Sequence, residues 1–140
     1  MSKFKAARDT ARRYTVHAAT DVTGFSLAGH SQECAAASNV TIEFENNALP
    51  VIDGARELAT FGFIPEGRYT NEDYLFDKVR FEAGIPQDLI DIAFDPQTSG
   101  GLLLFMPEED ARAFVREMDK PYCRIIGRVI PKTDRDVIFK

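Results

Sequence analysis

The sequence predicts a layered α/β sandwich of the α+β kind, a mixed β-sheet flanked by helices. Three observations carry this reading. Helix-like and strand-like stretches alternate along the chain, which favours helices packed on a sheet over an all-α or all-β core. The last two strand-like stretches are separated by too few residues for the crossover that parallel neighbours need, so the strand directions must be mixed. A chain of 140 residues with 44% hydrophobic content suits one domain, which at this size buries roughly two thirds of its unfolded surface.

The elements follow in order. Residues 3 to 13 (KFKAARDTARR) are strong helix formers with few breakers and predict a mostly exposed helix. After His17 to Asp21 a second helix should begin near Thr23, which reads as its N-cap. Leu27, Ser31, Cys34, Ala35 and Ser38 form the packed face of this helix, and Asn39 ends it. VTIEF, Val40 to Phe44, alternates apolar and polar positions with branched side chains and predicts a strand. Pro50 should open a helix through Val51, Ala55, Leu58 and Ala59, stopped by Gly62. From Phe63 to Gly84 the pattern decays, because Pro65, Gly67 and Asn71 interrupt it. The expectation there is a long irregular excursion held by Tyr69, Tyr74, Phe76 and Phe81.

Pro86, followed by Leu89, Ile90 and Ala93, predicts a short helix, and Leu102 to Met106 a buried strand. Glu108, Glu109 and Asp110 place negative charge on the first turn of a helix that Ala111, Phe114, Val115 and Met118 continue. Cys123 to Ile130 and Asp136 to Phe139 are read as two last strands joined by a turn at Pro131 to Asp134.

Composition narrows the function. With 22 acidic against 17 basic residues the formal charge is -5, which argues against nucleic-acid binding, where a basic face is the rule. The basic cluster Lys3, Lys5, Arg8, Arg12 and Arg13 reads as the solvated face of the first helix. Cys34 and Cys123 have no CxxC spacing and are expected to be free core thiols of a cytoplasmic protein. No apolar run approaches the roughly 20 residues of a membrane span, and no secretory leader is evident at the start, so no membrane partner is expected. His17 and His30 read as hydrogen-bonded structural residues.

Two segments concentrate chemistry. In DPQTSGGLLLF, Asp95 to Phe105, two hydroxylated residues and two glycines run straight into an apolar strand. Successive amides at Thr98, Ser99, Gly100 and Gly101 can point into one anion-binding concavity, because glycine lets a ligand approach the backbone. The same residues are equally what a turn needs to bring a strand close against another backbone. In TDVTGFSLAGH, Thr20 to His30, a helix N-terminus supplies amides and a positive dipole end, and Asp21 precedes it. Asp21 suits either capping or a bridging Mg²⁺.

Together these segments resemble selenophosphate synthetases, the selenide, water dikinases. HAATDVTGFSLAGH is similar to their ATDVTGFGLLGH segment and DPQTSGGLLLF to their DPQTSGGLL segment. LPVIDGARELATFG, YTNEDYL and RIIGRV fit the same pattern, so the likeness runs from about Val16 to Val137. It implies a fold like the C-terminal domain of aminoimidazole ribonucleotide synthetase, with residues 16–140 forming that domain and 1–15 a helix and linker from an ATP-binding N-terminal domain. The family's reactive cysteine or selenocysteine and its lysine belong to that N-terminal half and have no counterpart here.

The resemblance implies selenophosphate production from ATP, selenide and water with Mg²⁺, a homodimer at full length, and no catalysis by this domain alone. Asp21 would be a metal ligand. Thr23, Gly24, Thr98, Ser99, Gly100 and Gly101 would line the cleft toward phosphate. A stand-alone binding or assembly module of the same fold, or a domain of another ATP-dependent relative, are the alternatives. One departure is Ser26, where the family has glycine; a right-handed helical first turn, harmless to serine, is expected there.

Overall fold

A computed structural model of the chain describes residues 3–140. Residues 1 and 2 and the Lys3 side chain lie outside the described part, so that end of the predicted helix and of the basic cluster is not followed further.

The core is organised by one row of phenylalanines. Strands β2 (Val40–Phe44), β3 (Val79–Phe81), β5 (Gly127–Pro131) and β6 (Val137–Phe139) form a four-stranded sheet in the order β3-β6-β2-β5. Register puts Phe81, Phe139 and Phe44 side by side. Their rings stack, Phe81 on Phe139 at 4.6 Å and Phe44 on Phe139 at 5.0 Å, an arrangement that adds to the burial energy of each ring. Val79, Val137 and Ile42 form the next row on the same face.

The sheet is mixed, as predicted, but the last two strands do not pair with each other. Both flank β2: β5 is antiparallel to it and β6 parallel. The short connection instead wraps the start of β2. The Thr41 hydroxyl donates to the Arg135 carbonyl at 2.6 Å and accepts from the Thr133 amide at 2.9 Å. The fifth strand is also shorter than Cys123 to Ile130, since Cys123 closes a turn, its amide donating to the Lys120 carbonyl at 3.0 Å, and the strand starts only at Gly127.

Helices cover the Phe face. Helix α2 (Ser26–Ser38) packs on β2 and β6, and α4 (Gly67–Leu75) and α5 (Gln87–Ala93) pack on α2. Its buried face is Ser26, Ala28, Gly29, Ser31, Gln32 and Ala35, with Leu27 and Cys34 half-buried and Ser38 exposed. The expected face is therefore rotated toward the smaller residues, because Ala28 and Gly29 let other elements approach closely. Asn39 ends the helix in the left-handed conformation, as expected of a C-terminal stop.

Helix α1 (Lys3–Ala11) rests on α6 (Glu108–Met118). Arg13 and Tyr14 bind Glu117, and the Thr15 amide donates to Asp110 at 2.7 Å. Two expectations fail along the middle of the chain. Pro50 opens no helix; α3 (Ala55–Thr60) starts only after Gly54 has turned the backbone with φ 81°. The segment 63–84 is not irregular, since it holds α4 and β3, and its anchors are Arg68, Asn71 and Leu75. Tyr69, Tyr74 and Phe76, predicted to pack inward, are exposed.

Candidate functional site

The site is assembled by a strand that the sequence conceals. Strand β1 (Ala18–Asp21) pairs antiparallel with β4 (Leu102–Phe105), Asp21 opposite Leu102 and Ala18 opposite Phe105, in a two-stranded ribbon separate from the main sheet. Antiparallel pairing lays the end of one strand beside the start of the other. The residues following β1 and the residues preceding β4 therefore emerge at the same place. These are Val22 to Phe25 and Asp95 to Gly101, the two segments singled out above.

Backbone hydrogen bonds continue the pairing into the loops. The Val22 amide donates to the Gly101 carbonyl at 2.9 Å, and the Gln97 amide to the Thr23 carbonyl at 3.0 Å. Gly100 lies against Val22 so closely that a Cβ placed on it would sit 2.1 Å from the Val22 carbonyl oxygen. Its bare backbone thus has a packing reason, the close approach of two chains. Gly24 and Gly101 differ: a Cβ on either would meet nothing within 4 Å. Both are exposed, as are Asp21, Thr98 and Ser99, while Thr23 and Gly100 are half-buried.

Thr23 is not the helix N-cap. Its carbonyl accepts from the Ser26 amide at 2.9 Å in a turn that ends at Phe25, and α2 begins at Ser26. The Thr23 hydroxyl bonds the His30 Nε2 at 2.9 Å, while the other ring nitrogen faces Glu33 at 3.2 Å. His30 is thus a structural histidine, and it holds Thr23. His17 contributes a backbone bond, its amide to the Phe105 carbonyl at 2.8 Å, which extends the ribbon.

Ser26 has φ 71°, so the right-handed turn expected there does not form. A residue with a side chain stands where the backbone turns left-handed, at a cost of about 1–2 kcal/mol. The fully buried side chain answers in part, its Oγ accepting from the Gly29 amide at 3.3 Å.

Asn71, which breaks the pattern of its segment and belongs to the family-like stretch YTNEDYL, expected as a loop, sits instead in helix α4 and fastens the loops from behind. Its Nδ2 donates to the Gly24 carbonyl at 3.1 Å and to the Phe94 carbonyl at 3.0 Å. The family-like stretch flags the residue, but not what it binds, because its partners lie 47 and 23 positions away. Asp95 sits just beyond Phe94, and burial pushes its carboxyl above the usual range. Burial likewise raises both thiols, with Glu33 adding to the effect at Cys34, so neither is an activated nucleophile.

Among the described residues no three His, Cys, Asp or Glu side chains converge on a metal position. Asp21, exposed at the end of β1, fits a single ligand offered to an ion held largely by other groups.

A sheet with helices on one face and a ribbon presenting two glycine-bearing loops defines the class. A family model described as "AIR synthase related protein, C-terminal domain" matches residues 1–140, and the chain belongs to that family. Among curated relatives, it is 48% identical over 138 residues to a selenide, water dikinase of Clostridium botulinum (strain Eklund 17B / Type B), covering 97% of this chain and 40% of that protein. A selenide, water dikinase of Caldanaerobacter subterraneus subsp. tengcongensis is 45% identical over 139 residues, with 97% and 40% covered. The chain spans about two fifths of the length of these relatives. The solved structure of the hydrogenase maturation protein HypE in complex with ATP shares the fold, at TM-score 0.53 and 20% identity over 89% of this chain and 32% of that one.

Among the described residues no helix is long and apolar enough to cross a membrane.

Proposed function

We propose that this chain is the C-terminal domain of a selenide, water dikinase, which makes selenophosphate from ATP, selenide and water, and that it works only beside an ATP-binding N-terminal domain. The observation that carries the reading is the convergence of both motif loops at one end of the β1–β4 ribbon, with Asp21, Gly24, Thr98, Ser99 and Gly101 all exposed there. The similarity to curated dikinases over nearly the whole chain supports the reaction class. HypE, similar in fold, was solved in complex with ATP, which supports ATP use.

Phosphoryl transfer is dominated by positioning and charge neutralisation, so ligands and amides matter more than a protein nucleophile. Mg²⁺, when bound, would neutralise phosphate oxygens, and Asp21 would supply one carboxylate of its ligand set. The hydroxyls of Thr98 and Ser99 would donate to phosphate oxygens. Gly24 and Gly101, with open space where a side chain would be, let those oxygens reach the backbone. Thr23 would keep its loop in register through His30. Exposed Phe25, beside Gly24, would be covered by the N-terminal domain, in an enzyme expected to be a homodimer at full length.

Phosphorus-31 NMR of ATP, selenide and Mg²⁺ tests this with the chain alone and with the chain joined to a relative's N-terminal part. Selenophosphate is expected only from the joined protein and is expected to disappear with Asp21→Asn. Product from the chain alone, or full activity of Asp21→Asn, would overturn the proposal.

A further inference from the structure

Helix α4 meets the candidate site at three successive points on one face. Gly67 lies under Pro96, where an added Cβ would come within 3.0 Å of the proline ring. Arg68, 2% exposed, places its guanidinium 5.5 Å from the centre of the Phe94 ring and donates from Nε to Asp91 at 2.7 Å. Asn71, 8% exposed, then spends both amide hydrogens on carbonyls, one at Gly24 and one at Phe94. Those carbonyls belong to different loops. Gly24 follows β1, and Phe94 opens the segment that runs through Asp95 and Pro96 to Gly101. A side chain with two donors and no charge is what two facing carbonyls require, since a carboxylate would repel both and a hydroxyl could serve only one.

We propose that Asn71 is a positioning residue that sets the separation and register of the two cleft loops, so that the segment 63–84 acts as the back brace of the site. The proposal rests on the functional reading above only for its effect on turnover; its effect on the loops stands independently. Asn71 touches no reacting atom.

The first test needs no substitution. In the isotopically labelled wild-type chain, scalar couplings across hydrogen bonds should link the Asn71 Nδ2 to the Gly24 and Phe94 carbonyl carbons; absence of the Gly24 coupling would overturn the proposal. Asn71→Ala should then lower the hydrogen-exchange protection of the Val22 and Gln97 amides, the ones that join the loops, about tenfold, while the Ile42 amide in the main sheet keeps its protection. Asn71→Asp should protect those amides no better than the alanine variant while its carboxyl is ionised, and should regain part of the protection as pH falls and a protonated carboxyl again offers one donor. Wild-type protection of those amides in both Asn71→Ala and Asn71→Asp would reduce the residue to a space-filler and sink the idea. In the joined protein, Asn71→Ala should lower kcat about 10- to 100-fold with KM for ATP nearly unchanged. An inactive joined wild type would defeat the functional reading while the exchange data still decide the brace.

Discussion

Gly100 and Gly101 are adjacent in one motif, yet their substitution by alanine should have opposite consequences. At Gly100 the added methyl would lie 2.1 Å from the Val22 carbonyl oxygen and 2.7 Å from the Gln97 Oε1. The glutamine side chain can swing away, but the Val22 carbonyl is fixed by the ribbon. Relief requires a backbone shift of roughly 1 Å, since real Cβ contacts start near 3 Å. That shift strains the Val22 to Gly101 hydrogen bond. Overpacking against immobile neighbours typically costs 1–3 kcal/mol, so Gly100→Ala should lose about 2 kcal/mol, or about 8 °C in Tm for a chain of this size. Gly101→Ala meets nothing within 4 Å and has no left-handed φ. It should keep wild-type stability or gain about 0.5 kcal/mol from a less flexible unfolded chain. Thermal unfolding by circular dichroism at one scan rate compares all three proteins. A Tm for Gly100→Ala within 1 °C or so of wild type, or an equal loss in Gly101→Ala, would refute the packing argument. In the joined protein Gly101→Ala should still lose activity, because its methyl would occupy the space proposed for phosphate.

Other predictions follow from single features. Ser26→Gly should be more stable than Ser26→Ala by about 1 kcal/mol in chemical denaturation, as glycine alone relieves the left-handed strain; equal values would mean the strain is absent. Glu43 is buried between Lys140 at 2.8 Å and Arg128 at 2.8 Å, and Lys140 above all holds its carboxyl below the ordinary 4.5. A depressed acid contributes stability above its unfolded pKa and loses it as pH falls through the lower folded one. Stability of the wild type should therefore fall more steeply than that of Glu43→Gln between about pH 5 and about pH 3, as urea titrations at stepped pH would register. Asp91→Ala leaves the buried Arg68 with half-exposed Glu72 as its ion-pair partner and should cost about 3 kcal/mol. Arg112→Ala, breaking the exposed pair with Glu108, should stay within about 0.5 kcal/mol, and equal losses would remove the role of burial.

What was legible in the sequence is local. The strand over Val40–Phe44, the short helix behind Pro86, the acidic first turn of α6 and the stop at Asn39 each follow from side chains within a few positions of one another. The two loops were also visible, because hydroxyl and glycine clusters beside apolar runs are rare enough to ask for a reason. Strand β1 was not visible. Of Ala18, Ala19, Thr20 and Asp21 only Thr20 favours a strand, and pairing with Leu102–Phe105 makes them one. The segment 63–84 misled for a related reason. Gly67 and Asn71 are poor helix residues, but Gly67 admits Pro96 and Asn71 ties two loops, so tertiary contacts outweigh propensity.

The sequence by itself determined the class of fold, the family resemblance and the identity of the groups offered to chemistry, from Asp21 to Gly101. The tertiary structure decided which of these groups meet, through an antiparallel pairing some 80 residues apart in the chain whose register no short-range pattern encodes. It also divided the motif glycines by purpose. Gly100 is bare because the Val22 backbone crosses it, and Gly101 faces open space. That difference depends on what lies within 4 Å of a missing Cβ, a quantity that exists only once the chain has folded.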